Sequence, residues 1–233
     1  MPFRFAIIGG GLTATSFLCQ FVDRLRRAVR DGSEIPAGLS LVVFEKYDVF
    51  GPGLPHSDQF ALPFHITNMC AKDMSVRQAQ PGDFQDWVQD HRETLSDQFS
   101  DLQIAFSCPD CNPERCRHYP RAVMGEYLKA QFDAAVRSAR ELGISVELLP
   151  GREVIDLHKR HGCIALTVRE SSTQTVAQCT ADGVLLATGH WSEKPENDCF
   201  FTSPWPAAEL LTGIPEGETV GVLGPVSVPS KSL

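Results

Sequence analysis

The stretch Phe3-Arg4-Phe5-Ala6-Ile7-Ile8-Gly9-Gly10-Gly11-Leu12-Thr13-Ala14 constrains this chain more than any other. A short apolar run with β-branched residues leads into three glycines, and a helical pattern follows. That is the reading of a buried parallel strand turning sharply into a helix. Leu12, Thr15, Ser16, Leu18, Cys19, Val22, Leu25 and Val29 fall on or near one helical face. Asp31-Gly32-Ser33 closes the helix, with Gly32 as the C-cap. After a loop holding Pro36 and Gly38, Leu39–Phe44 reads as a second buried strand and ends in Glu45-Lys46.

The turn is a G-x-G-x-x-A pattern with an extra glycine at the free position, and each part has a physical task. Gly9 permits the tight turn, Gly11 lets backbone approach a pyrophosphate, and Ala14 lets the helix pack close to the strand. The helix N-terminus offers unpaired N–H groups and partial positive charge to phosphates. Glu45 can accept hydrogen bonds from both ribose hydroxyls and disfavours a 2′-phosphate. Glu45 follows Ala14 by 31 residues (positions 14 and 45), against about 20 in the usual fingerprint. A longer helix and the 31–38 loop absorb the difference.

Composition narrows the partners. The net charge is -8 with acids and bases interspersed, so no concentrated basic patch points to nucleic acid or a membrane surface. No apolar run approaches the roughly 18 residues of a membrane span, and the N-terminus lacks a secretory pattern. A cytoplasmic chain with eight reduced cysteines is expected.

A second signal lies at Val184-Leu185-Leu186-Ala187-Thr188-Gly189, a buried strand running into a small turn. With the first glycine turn, it resembles the two-dinucleotide-binding-domain flavoproteins, where an A-T-G strand end passes near FAD. FAD therefore outranks NAD for the first site. IIGGGLTATSFL, VFEKYDVFGPGLPHS, HITNMCAKDMSV, YPRAVMGEYLKAQF and GVLLATGHW resemble one branch of that class. It is the FAD/NAD(P)-binding family with FAD-dependent urate hydroxylases and aspartate N-monooxygenases. The resemblance implies an α/β fold: a Rossmann-like FAD-binding domain with a parallel sheet, an inserted helical segment and a small antiparallel β meander. It implies Gly9, Gly10, Gly11, Leu12, Thr13, Ala14, Glu45, Lys46, Val154, Ala187, Thr188 and Gly189 as cofactor-binding positions, Val154 through its backbone at the adenine.

Between the two signals several readings stay open. Phe50-Gly51-Pro52-Gly53 is either a surface turn or, by resemblance, a close approach to the flavin end. Asp83 can cap a short helix over 84–89, and Pro120 opens a long helix reaching Leu142. Strands are expected over 144–148, 153–157, 164–169 and 175–178, with the meander spanning about 144–180 and the inserted region about 52–119. Arg121 matches a family position or is a solvated charge. His56 and His65 lie in the segment expected to approach the flavin. Cys108, Cys111, Cys116 and His118 form C-x2-C-x4-C-x-H, either a zinc site or a polar loop with thiols.

The expected division is a domain over 1–215 and the start of a second dinucleotide-binding unit over 216–233. Thr219–Leu223 reads as its first strand and Gly224 as its first glycine. Val226 and Pro229 then occupy the next glycine positions. The chain is thus expected to be truncated at the NAD(P)H module; the plainer alternative is a last sheet strand and a tail. The family reaction, NAD(P)H- and O2-dependent hydroxylation of a small molecule, would then need a complementary chain, and homo-oligomer formation could cover exposed apolar surface. The competing readings are a non-catalytic dinucleotide-binding regulatory module and an interaction module with a zinc loop.

Overall fold

The computed structural model describes residues 2–102, 117–189, 200–202 and 207–222. Strand β1 (Phe3–Ile8) leads into helix α1 (Leu12–Arg30), and β2 (Leu39–Phe44) follows. Short helices α2 (Gly53–His56), α3 (Asp83–Asp90) and α4 (Arg92–Gln98) precede the long α5 (Arg121–Glu141) and β3 (Ser145–Leu149). Then come β4 (Arg152–Arg160), β5 (Cys163–Glu170), β6 (Val176–Ala181), β7 (Gly183–Leu186) and α6 (Ala207–Gly213).

The main sheet has the order β3-β2-β1-β7, and every pairing in it is parallel. Its two central strands end in apolar runs, Ala6–Ile8 and Leu41–Phe44, buried on both faces. Ile7, Leu41, Val43 and Val146 face a core shared with α1 and α5. The alternate residues Ala6, Ile8, Val42 and Phe44 pack against Leu166, Val168 and Ala181 of the second sheet. That sheet is an antiparallel meander in the order β4-β5-β6. The fold is therefore the expected Rossmann-like α/β domain.

Three readings need correction. The 145–149 strand is not the start of the meander: β3 pairs with β2 in parallel, and α5 lies in the crossover that a parallel pair needs. Asp83 does not cap α3; Gly82 takes that position. Asp83 instead accepts a 2.6 Å hydrogen bond from the Tyr127 hydroxyl. Residues Thr219–Val222 form no strand. Val222 is 86% exposed, so the apolar alternation there finds no sheet edge to join.

Polar contacts tie α1 to α5. Arg77 donates to both Asp23 carboxylate oxygens at 3.0 Å and to Gln131 Oε1. Tyr127 is fully buried. Its hydroxyl donates to Asp83 and accepts the Val76 N–H at 3.2 Å. Burial first, then the Asp83 bond, pushes the phenol well above its usual range. Tyr127→Phe strands a buried N–H and a carboxylate, so a loss of about 1–3 kcal/mol is expected. A urea melt checks this; an unchanged midpoint would mean that water replaces the hydroxyl.

Candidate functional site

The glycine turn sits at the C-terminal edge of the parallel sheet, where open α/β sheets bind ligands. Gly9 has φ +98, and a Cβ there would collide with the Ala187 carbonyl oxygen. Gly9 N–H bonds the Phe44 carbonyl and Ala187 N–H bonds the Ile8 carbonyl, both at 2.8 Å. The two sequence signals, 178 residues apart in the chain (positions 9 and 187), are thus adjacent in space. Thr188 and Gly189 continue from β7 as exposed residues beside this turn.

Helix α1 begins at Leu12 with no side-chain cap and no acidic residue in its first turn. Its first N–H groups therefore face an approaching anion without competition from the chain's own oxygens. Leu12 and Thr13 are exposed there, while Ala14 is fully buried. Thr15, which the motif leaves unassigned, is buried and donates to the Gly11 carbonyl at 3.1 Å.

Gly10 is not a free position. A Cβ would lie 2.6 Å from Phe50 Cδ1 and 3.1 Å from Glu45 Oε2. Gly11 has a second duty besides backbone approach: its Cβ would lie 3.1 Å from Gly53 Cα. The 50–53 turn therefore packs under the glycine turn, and Gly51 N–H donates to the Gly10 carbonyl at 2.7 Å. It is not a plain surface turn: Gly51 and Pro52 are buried. Phe50, stacked on Phe132, is the residue that sequence reasoning could not tie to Gly10.

Glu45 is 8% exposed. Its Oε2 accepts the Gly10 N–H at 2.6 Å and its Oε1 accepts the Tyr47 N–H at 3.0 Å. A carboxylate has about four acceptor sites, so two are spent on the chain's own backbone and two remain. Lys46 turns instead to Glu153, 3.1 Å away, which also binds Arg169. Those cations hold the Glu153 carboxyl below its usual range, Arg169 foremost. Arg152 N–H donates to the Glu45 carbonyl at 2.8 Å, which brings the start of β4 to the end of β2. Val154 lies two residues further on, half-buried, at a register shift of the β4–β5 ladder.

Beyond Gly53 lie His56, His65 and Arg121. Arg121 Nε donates to the Ile66 carbonyl at 3.1 Å and Nη2 to Asn68 Oδ1 at 2.9 Å. The His56 ring is pushed down to about 4 by burial and then by the Arg121 charge. His56 Nδ1 is buried without a hydrogen-bond partner. His65 is lowered by the same two causes. Arg121 thus ties the 66–68 segment to the start of α5.

Cys108, Cys111 and Cys116 lie outside the described residues. His118 Nδ1 is 2.8 Å from the Thr67 carbonyl oxygen. Among the described residues no group of three or more His, Cys, Asp or Glu could hold a metal ion. The expectation of reduced cysteines fails at Cys70, which is disulfide-bonded. The Ala71 N–H bond to the Arg117 carbonyl, 2.8 Å, brings Cys70 beside the end of the cysteine-bearing segment. Among the described residues no helix is long and apolar enough to cross a membrane.

A glycine turn under an uncapped helix, an acid at the end of β2 and a small turn closing β7 define a dinucleotide-binding domain. The chain belongs to the FAD-NAD(P)-binding family, which it matches over residues 6–191. It is 25% identical over 223 residues to the Escherichia coli (strain K12) protein YdhS, covering 95% of this chain and 37% of the relative. The chain thus spans a little over a third of that relative's length. Similar solved structures include Tmm from Pelagibacter sp. strain HTCC7211, 21% identical over 83% of this chain and 38% of that one, TM-score 0.44. Ornithine hydroxylase PvdA from Pseudomonas aeruginosa is 18% identical, covering 82% and 37%, TM-score 0.36.

The cofactor is FAD, and the cradle fits its ADP half. The α1 N-terminus is open to a pyrophosphate, and Glu45 keeps acceptor capacity for ribose hydroxyls.

Proposed function

We propose that this chain is the FAD-binding part of an NAD(P)H-dependent oxidoreductase of the monooxygenase type, hydroxylating a small molecule. The seating of Gly9 on the Ala187 carbonyl carries the reading. It makes one continuous cradle of the glycine turn and the Ala187-Thr188-Gly189 turn. In this reading the backbone of Gly10, Gly11, Leu12 and Thr13, with α1's first N–H groups, holds the pyrophosphate. Glu45 orients the adenosine ribose, with Lys46 and Val154 at that end. FAD, when bound, supplies the redox and oxygen chemistry, and the protein supplies position and exclusion of water.

The monooxygenase class is supported by the motif resemblance. The hydride-donor site and the rest of the substrate pocket are assigned to polypeptide beyond the described residues, from a complementary segment, a second chain or a homo-oligomer. An NAD(P)H-dependent reaction favours a cytoplasmic setting.

The purified chain, reconstituted with FAD and desalted, should show a flavin absorbance spectrum at one FAD per chain. Glu45→Gln removes the charge and turns an amide NH2 toward one of the two backbone N–H groups that Glu45 accepts, so affinity should fall roughly 100-fold. Failure to retain flavin from excess FAD would overturn the reading and leave a dinucleotide fold without this cofactor.

A further inference from the structure

Helix α5 runs for 21 residues with Gly125 inside its first half. A glycine inside a helix costs about 1 kcal/mol relative to alanine, and nothing in α5's backbone requires one: its φ is ordinary. Room is what requires it. A Cβ on Gly125 would run into the His56 carbonyl oxygen, well inside van der Waals contact, and would lie 3.6 Å from Pro52 Cβ. The same segment meets α5 again at Gly51, whose Cβ would lie 2.7 Å from Lys129 N. On its other side the segment touches the glycine turn. Gly51 N–H donates to the Gly10 carbonyl at 2.7 Å, and Gly53 packs on Gly11. Residues 51–56 are therefore a layer of backbone pressed between α5 and the glycine turn, with glycines at the points of contact on both sides.

We infer that Gly125 is a positioning residue for the cofactor cradle, acting through residues 51–56 to set where the Gly9–Gly11 turn and the α1 N-terminus stand. The inference rests on the FAD reading above for its ligand, and on α5 and the 51–56 layer for its geometry. A methyl group at 125 must displace the His56 carbonyl by about 1 Å to regain ordinary separation. The layer has no slack on its far side, so the shift reaches Gly10 and Gly11, the backbone that meets the pyrophosphate. Misplacement on that scale is enough to weaken a preorganised site by about tenfold to a hundredfold.

The test compares FAD affinity, by flavin fluorescence titration, in the parent chain, Gly125→Ala and Gly38→Ala. Gly38 is the control for plain destabilisation. It has φ +81, and its Cβ would lie 2.9 Å from Pro2 Cα, at the opposite end of the sheet. Amide hydrogen exchange at Gly51 and Ser57 is read in the cofactor-free chain, where those N–H groups bond the Gly10 and Gly53 carbonyls. The expected result is a tenfold or greater loss of affinity in Gly125→Ala (about tenfold being the lower bound) with faster exchange at both amides. Gly38→Ala should lose melting temperature yet keep both properties. Equal affinity loss in the two variants at equal destabilisation overturns the inference, as does unchanged exchange in Gly125→Ala. If Gly125→Ala does not fold, Pro52→Gly loosens the same layer without adding an atom and should move the same readouts. A parent chain that binds no FAD defeats the FAD reading, and the exchange measurement still decides the role of Gly125.

Discussion

Gly9→Ala is expected to abolish flavin retention and to destabilise the fold by about 3–5 kcal/mol, the sum of backbone strain and overpacking. Two independent penalties meet at this residue. Its φ of +98 lies where L side chains are strained, and the new Cβ would meet the Ala187 carbonyl oxygen. Neither side can yield cheaply. Ala187 is held by its N–H bond to the Ile8 carbonyl, and Gly9 by its N–H bond to the Phe44 carbonyl. The clash sets a new Cβ just past β1 against the backbone just past β7, so relief requires opening the β1–β7 pairing at the cradle. Urea unfolding and flavin content after desalting measure the two effects together. A variant that keeps its flavin and loses less than about 1 kcal/mol, the scale of a single hydrogen bond, would show that Ala187 is no fixed wall beside the turn.

The second large effect is acid sensitivity at His56. Its ring stays neutral in the fold, with a value of about 4 against an ordinary 6.5. Above pH 6.5 neither the folded nor the unfolded state is charged there, and the full stability is present. As the pH falls below 6.5 the unfolded chain takes up a proton and the folded chain does not, so stability declines until about pH 4. Over that window the loss approaches about 3 kcal/mol. The cause is burial first and the Arg121 charge second. Protonation would place a cation beside a cation in the layer under the glycine turn. Urea melts from pH 7.5 to 4.5 on the parent and on His56→Gln should show a flatter profile in the variant. The difference isolates this histidine from carboxylates that titrate at the lower end. Parallel profiles would refute the assignment.

Much of the architecture was legible in local pattern. The apolar runs 3–8 and 39–44, the helical face from Leu12 and the long helix after Pro120 are short-range features. Each arises from nearest neighbours and from the periods of helix and strand. The acid at the end of β2 was legible too, because the turn and the strand that flank it are local.

Contacts between backbones far apart in the chain were not. Gly10 reads as free in the motif, yet Phe50 and Glu45 close on it. Gly125 reads as an ordinary helical residue, yet α2 lies against it. Strand 145–149 could join either sheet by its own pattern, and the crossover through α5 decided for β2. The stretch 219–222 has a strand's alternation, but a strand needs an edge to pair with.

The sequence by itself determined the βαβ unit, its glycine turn and the acid that follows β2, because these depend on residues within a few turns of one another. Only the tertiary structure decided that the turn leans on Ala187, that residues 51–56 pack between it and α5, and that the His56 Nδ1 atom is buried there. Those depend on which surfaces come within van der Waals range, and side-chain periodicity carries no record of that distance.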